Sequence, residues 1–271
     1  MIKSNRSKKW LIIRHSVEKY LYKNFGIFST NSAGDPNILG EHTEKSINLT
    51  FPLISKLLIN LKLNLEITDA KSFCTKNKKI REANNIKHSF ERHGSDKARL
   101  NYHFIYPSLF KNPKRVKKIL EVGIGTNNTN IISNMGPFGK PGASLRAFRD
   151  YFVNSSVYGA DIDRDVLFRE NRIKTFYVDQ TSQNSIKKLF RKINKKFDLI
   201  VDDGLHSPYT NLNMINTSLQ YLNKNGWLVI EDIPFRSKSI WETVQFILEK
   251  KYVTKLVNGN NCLIFIIKRI K

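Results

Sequence analysis

From residue 116 onward the chain alternates short, β-branched apolar runs with helix-length polar segments. The apolar runs predict strands over residues 118–122, 157–160, 175–178, 197–201, 227–230, 252–256 and 262–267. The segments between them predict helices over residues 144–152, 183–193, 208–222 and 239–249. Strands that are apolar almost throughout, rather than at every second position, belong to a parallel sheet covered on both faces. The last two strands are close enough in sequence to pair antiparallel. The pattern therefore predicts an α/β fold, a Rossmann-like sheet of seven strands with helices on both faces.

Residues 1–90 carry no such alternation and read as a basic, mainly helical accessory region, leaving residues 91–271 for the α/β domain. Apolar residues recur at helical spacing over residues 10–25, and residues 51–59 predict a second helix. Lys8, Lys9, Arg14, Lys19 and Lys23 accompany the first helix, which fits either a cap packed on its own protein or a helix lying on a membrane surface. A helical region of this kind would cap a substrate pocket or form a homo-oligomer interface.

The length of 271 residues, 40% of them apolar, allows one large core and a small appended unit. No apolar run approaches the roughly 20 residues of a transmembrane helix, and the stretch 10–13 is too short for a signal-peptide core, so a cytoplasmic protein is expected. Cys74 and Cys262 read as two reduced thiols. The 46 Lys and Arg against 23 Asp and Glu give a formal charge of +23. That charge favours nucleic acid, an anionic membrane or phosphorylated partners. The basic residues are dispersed among many Asn and Ile, so a composition set by AT-rich codons explains the charge equally well.

The candidate chemistry lies at the strand ends. Glu121 closes the first strand, and Gly123 and Gly125 form the turn after it, where glycine lets a backbone approach a ligand closely. The next strand ends at Asp161, a carboxylate able to accept both hydroxyl hydrogens of a ribose. The third ends at Asp179 and Gln180, which can read an adenine edge. Neither G-x-G-x-x-G leading directly into a helix nor G-x-x-x-x-G-K-[ST] is present. An adenosyl ligand without phosphates, S-adenosylmethionine, suits such a loop.

The fourth strand runs into Asp202 and Asp203 with His206 close behind, and the fifth into Glu231 and Asp232. Four carboxylates on adjacent strand ends repel one another unless a cation or hydrogen bonds offset them. Hard oxygen ligands suit Mg²⁺ or Mn²⁺, while a solvated loop edge is the plainer account. His206 is placed to act as a general base or to cap the following helix.

Taken together the motifs resemble the metal-dependent macrolide-sugar O-methyltransferases of the mycinamicin and tylosin type, class I S-adenosylmethionine-dependent enzymes. The resemblance rests on His93-Gly94-Ser95-Asp96-Lys97 with Tyr102, His103 and Tyr106, on Leu120 to Gly125, Gly142 to Arg146 and Gly159 to Asp163, and on Asp179-Gln180, Asp202 to His206 and Ile230 to Asp232. It implies cofactor binding by Glu121, Gly123, Ser144, Asp161, Asp179, Gln180 and Asp202, Mg²⁺ held by Asp203, Glu231 and Asp232, and His206 as catalytic base. The implied acceptor is a hydroxyl of a sugar, glycan or secondary metabolite. The sequence departs from the family at Leu205, where a small polar residue is usual, and at Pro234-Phe235 after the acidic pair.

Three other classes fit parts of the sequence. A cephalosporin-hydroxylase-like oxygenase needs two histidines and a carboxylate on its iron, and no H-x-D pair occurs among the six histidines. An RNA methyltransferase accounts for the charge and is the runner-up, although the fourth strand lacks the N/D-P-P-Y/F motif of amino-methylating enzymes and neither cysteine is placed as a cytosine C5 nucleophile. A non-enzymatic binding module predicts degenerate strand ends, and these are intact.

Overall fold

The computed structural model describes Tyr20 and residues 24–28, 36–60 and 67–270. The chain divides into two compact units between residues 63 and 64. In the first, helix α1 (Pro36–Asn60) contains the helix expected over residues 51–59. It buries Leu39, Thr43, Ser55 and Leu58 and leaves Leu49, Leu53, Leu57 and Ile59 exposed. The helix expected over residues 10–25, with its membrane-surface alternative, lies outside the described residues apart from Tyr20, Asn24 and Phe25.

The second unit opens with β1 (Ile67–Asp69), α2 (Ala70–Lys76), α3 (Ile80–His93) and the single turn α4 (Tyr106–Leu109). Residues 67–90, expected in the accessory region, thus stand in the unit that carries the sheet. There follow β2 (Lys118–Val122), α5 (Ala143–Tyr151), β3 (Ser156–Asp161), β4 (Arg169–Glu170), β5 (Ile173–Tyr177), α6 (Gln183–Ile193), β6 (Phe197–Asp202), α7 (Pro208–Ser218), β7 (Leu222–Ile233), α8 (Lys238–Leu248), β8 (Tyr252–Asn258) and β9 (Leu263–Arg269).

The strands form one sheet in the order β1-β8-β9-β7-β6-β2-β3-β5-β4. Its seven inner members are the seven strands expected from the apolar runs. The sheet nevertheless has nine strands among the described residues, because β1 pairs parallel with β8 at one edge and β4 antiparallel with β5 at the other. Elements of three and two residues are too short to show a period, and Arg169 and Glu170 are exposed, so neither edge strand leaves an apolar mark in the sequence.

Successive residues of the central strands enter two different cores. Ile119, Leu199, Val201 and Val229 pack with α3, α4 and α5 on one face, while Leu120, Ile200, Leu228 and Ile230 pack with α6, α7 and α8 on the other. Apolar character at consecutive positions is the consequence of this double cover. Each helix closes its face with an apolar stripe, as α6 does with Ile186, Leu189, Phe190 and Ile193 between the Ser182 N-cap and the left-handed Asn194 C-cap.

The chain leaves β2 for β3 on one side and returns to β6 on the other, all in parallel. The connections diverge there, so the crevice of an open α/β sheet falls at the carboxyl ends of β2 and β6. Among the described residues no helix is long and apolar enough to cross a membrane.

Candidate active site at the carboxyl edge of the sheet

The crevice is a cleft of about 440 Å³. Of the residues singled out in the sequence, Gly123, Gly125, Ser144, Asp161, Asp179, Gln180, Asp203, His206 and Asp232 line it. Glu121, Asp202 and Glu231 do not; they are buried behind its wall. Consecutive residues of a strand face opposite ways, so Asp202 and Asp203 cannot both open on the same crevice.

The turn after β2 is held tightly. Gly123 adopts φ +86°, its N–H donates to Ala160 O at 2.8 Å, and a side chain there would overlap the backbone carbonyl of Asp203. Asp161 accepts from Ile124 N at 2.8 Å through Oδ2 and from Asp163 N at 2.9 Å through Oδ1. A carboxylate oxygen can accept more than one hydrogen bond, so both retain capacity for hydroxyl donors in the cleft. Thr126 Oγ1 donates to Asp163 Oδ2 and ties the following loop to the same strand end.

The buried acids brace the lining residues. Glu121 Oε2 accepts from Ser144 Oγ at 2.6 Å. Asp202 accepts from Gln180 Nε2 at 2.5 Å and Asn211 Nδ2 at 2.9 Å, and Gln180 Oε1 accepts from Leu205 N at 3.0 Å. The amide that faces the cleft is thereby fixed in one orientation. Burial pushes the Asp202 carboxyl up to about 6 despite its two amide donors.

Behind the acidic edge stands Lys97, in the short turn after α3 and almost wholly buried. Its Nζ donates to Asp203 Oδ2 at 2.7 Å and to Glu231 Oε2, and lies 3.2 Å from Glu121 Oε1. Burial opposes the charge on Lys97, but Asp203, Glu231 and Glu121 together hold its ammonium well above the usual lysine range. Burial likewise raises the carboxyls, Glu121 to about 7 with Lys97 pulling the other way, and Glu231 and Asp203 upward in the same manner. Tyr106 OH donates to Glu231 Oε1. Tyr102 OH donates to Asp232 Oδ1 and stands 3.0 Å from Cys262 Sγ. Lys97, Tyr102 and Tyr106 enter the sequence analysis only among the residues that carry the family resemblance, with no role of their own.

Asp203, His206 and Asp232 form the outer layer, with one potential ligand atom of each within 4.8 Å of the others. His206 Nε2 is 3.8 Å from Asp232 Oδ2. Asp232 sits where the β7–β9 register shifts and has φ +52°, and His206 has φ +54°, so the outer layer is set by two non-glycine residues in the left-handed region. His206 does not cap α7: Ser207 occupies that position, and His206 Nδ1 is buried without a hydrogen-bond partner.

The comparisons agree with the sequence resemblance. No protein-family model matches the chain. It is 31% identical over 156 residues to the 8-demethyl-8-alpha-L-rhamnosyl tetracenomycin-C 2'-O-methyltransferase of Streptomyces olivaceus, across 57% of this chain and 38% of the relative. Over 116 residues it is 28% identical to the demethylmacrocin O-methyltransferase of Streptomyces fradiae, across 43% of this chain and 27% of the relative. It is 29% identical over 92 residues to the mycinamicin VI 2''-O-methyltransferase of Micromonospora griseorubida, across 34% of this chain and 23% of the relative. The chain therefore spans well under half the length of these curated relatives. Among solved structures it resembles the MycE methyltransferase from the mycinamycin biosynthetic pathway in complex with Mg, SAH and mycinamycin VI. That match has TM-score 0.55 and 20% identity and covers 69% of this chain and 53% of the other. The α/β methyltransferase-like fold of the sheet-bearing unit is shown by that likeness.

Proposed function

We propose that the protein is an S-adenosylmethionine-dependent O-methyltransferase, assisted by Mg²⁺, that methylates a hydroxyl of a sugar. The observation that carries this reading is the convergence of Asp161, Gln180, Asp203, His206 and Asp232 on one cleft in a methyltransferase-like fold. The sugar acceptor is argued from the relative named as a rhamnosyl tetracenomycin-C 2'-O-methyltransferase, beside relatives named as O-methyltransferases of demethylmacrocin and mycinamicin VI.

The cleft fits the cofactor. Asp161 offers two oriented oxygens to ribose hydroxyls, and Gly123 brings backbone to the cleft wall where a Cβ has no room. Ile162 and Val178 supply apolar walls, and Asp179 and the braced Gln180 amide supply polar groups for an adenine edge. S-adenosylmethionine supplies a methyl group on a sulfonium, ready for displacement by an oxygen nucleophile. Ser144, oriented by Glu121, lines the same part of the cleft.

The outer layer fits a divalent cation, since two carboxylates on adjacent strand ends are hard oxygen donors with room between them. Asp203 and Asp232 would hold it with Glu231 behind them, and when bound it would lower the pKa of an acceptor hydroxyl. His206, which lines the cleft beside Asp203 and Asp232, takes the hydroxyl proton on a ring nitrogen. Asp232 Oδ2 stands 3.8 Å from His206 Nε2, on the cleft side of the acidic edge.

Calorimetric titration of S-adenosylmethionine tests the reading, with Mg²⁺ and with EDTA. Micromolar binding that disappears in Asp161→Ala and persists in Asp203→Ala/Asp232→Ala is expected. Absence of binding in every condition sinks it. A polyanionic acceptor is the second reading, on the formal charge of +23. Methylation of RNA, with a salt-dependent affinity for it, would put RNA in place of the sugar.

A further inference from the structure

Two groups of potential metal ligands share Asp203. The outer group, Asp203 with His206 and Asp232, faces the cleft, while Glu121 and Glu231, which complete the inner group with Asp203, are buried behind its wall. The inner group already contains a cation. Lys97 Nζ lies 2.7 Å from Asp203 Oδ2 and 3.2 Å from Glu121 Oε1 and is bonded to Glu231 Oε2, with the side chain almost wholly out of solvent.

We propose that Lys97 is a positioning residue whose ammonium permanently fills the inner group, so that the edge accepts a single divalent cation, in the outer group, and holds it loosely. This rests on the cation part of the function proposed above. Lys97 takes Oδ2 of Asp203 and Tyr102 takes Oδ1 of Asp232, which leaves one oxygen of each carboxylate for the cleft. A fixed positive charge one carboxylate away from a divalent ion repels it through a poorly screened interior, an effect large enough to change affinity by about tenfold or more. The same charge offsets repulsion among the acids, so the edge stands assembled whether or not the metal is bound.

The test is a Mn²⁺ titration followed by electron paramagnetic resonance and calorimetry, without acceptor. Wild type should bind one Mn²⁺ per chain. Lys97→Met, similar in shape and uncharged, should bind Mn²⁺ at least about tenfold more tightly or take up a second ion, seen as a spin-coupled pair across Asp203. A merely structural Lys97 gives the opposite sign, because a loosened Asp203 holds metal less well. Folded Lys97→Met that binds one Mn²⁺ at wild-type affinity or weaker overturns the proposal. If Lys97→Met does not fold, Glu121→Gln decides. It leaves the ammonium less offset, so Mn²⁺ should weaken about fivefold, and unchanged binding overturns the idea. Wild type that binds no Mn²⁺ removes both this inference and the cation part of the proposed function, whereas S-adenosylmethionine binding in EDTA reports on the cofactor reading alone.

Discussion

Replacing Gly123 by alanine asks whether the turn after β2 and the acidic edge are one rigid assembly. Gly123 lies at φ +86°, where an L side chain costs about 1–2 kcal/mol. The new Cβ would overlap the Asp203 carbonyl and stand 2.6 Å from Gly204 Cα. These are backbone atoms, tied in place by the 2.8 Å bond from Asp203 N to Val122 O, so relief requires the loop after β6 to move. Overpacking of this kind adds about 1–3 kcal/mol, for a total of about 2–5 kcal/mol.

Gly125 supplies the control. It has the same φ of +86°, but the atoms nearest its Cβ would all belong to the side chain of Met135, which is 39% exposed and able to swing aside. Gly125→Ala should therefore cost the backbone strain alone, about 1–2 kcal/mol. Urea denaturation of the two variants beside wild type measures the difference, and Mn²⁺ titration shows whether displacement of Asp203 reaches the metal site. Equal stabilities, or a larger loss in Gly125→Ala, would refute the claim that backbone contact at Asp203 dictates the glycine.

His206→Gln should retain S-adenosylmethionine binding while lowering turnover by about 10²–10⁴ in a methyl-transfer assay, and unchanged turnover would remove His206 as the base. Asp161→Asn presents an NH₂ to one of the two backbone amides that the carboxylate now serves, which should cost about 1–3 kcal/mol in stability and at least about tenfold in cofactor affinity. Burial holds the His103 ring down to about 4, against an ordinary value of 6.5, so the fold favours the neutral ring. Its contribution is complete above pH 6.5 and drains away as pH falls toward 4. Between pH 7 and 4.5, wild type should lose about 2 kcal/mol more stability than His103→Phe, and parallel pH profiles would contradict this.

Seven strands and four helices after residue 116 were legible because a strand buried on both faces must be apolar at consecutive positions, and the acids that close such strands then mark the ligand edge. Asp161, Gln180, Asp203, His206 and Asp232 were found in that way, and the cleft gathers them. The sequence could not say which acid opens on the cleft and which lies behind it. That depends on strand register, which sends Asp203 outward and Asp202 inward, and on the shift at the end of β7 that turns Asp232 into the left-handed region. Only the tertiary structure placed Lys97. Its partners lie 106 and 134 positions farther along the chain, at Asp203 and Glu231, and no local pattern encodes a contact made by folding the segment after α3 over the sheet edge. Hydrophobic periodicity is a property of neighbouring residues and survives in one dimension, whereas the balance of one buried cation against three acids exists only once the chain has brought them together.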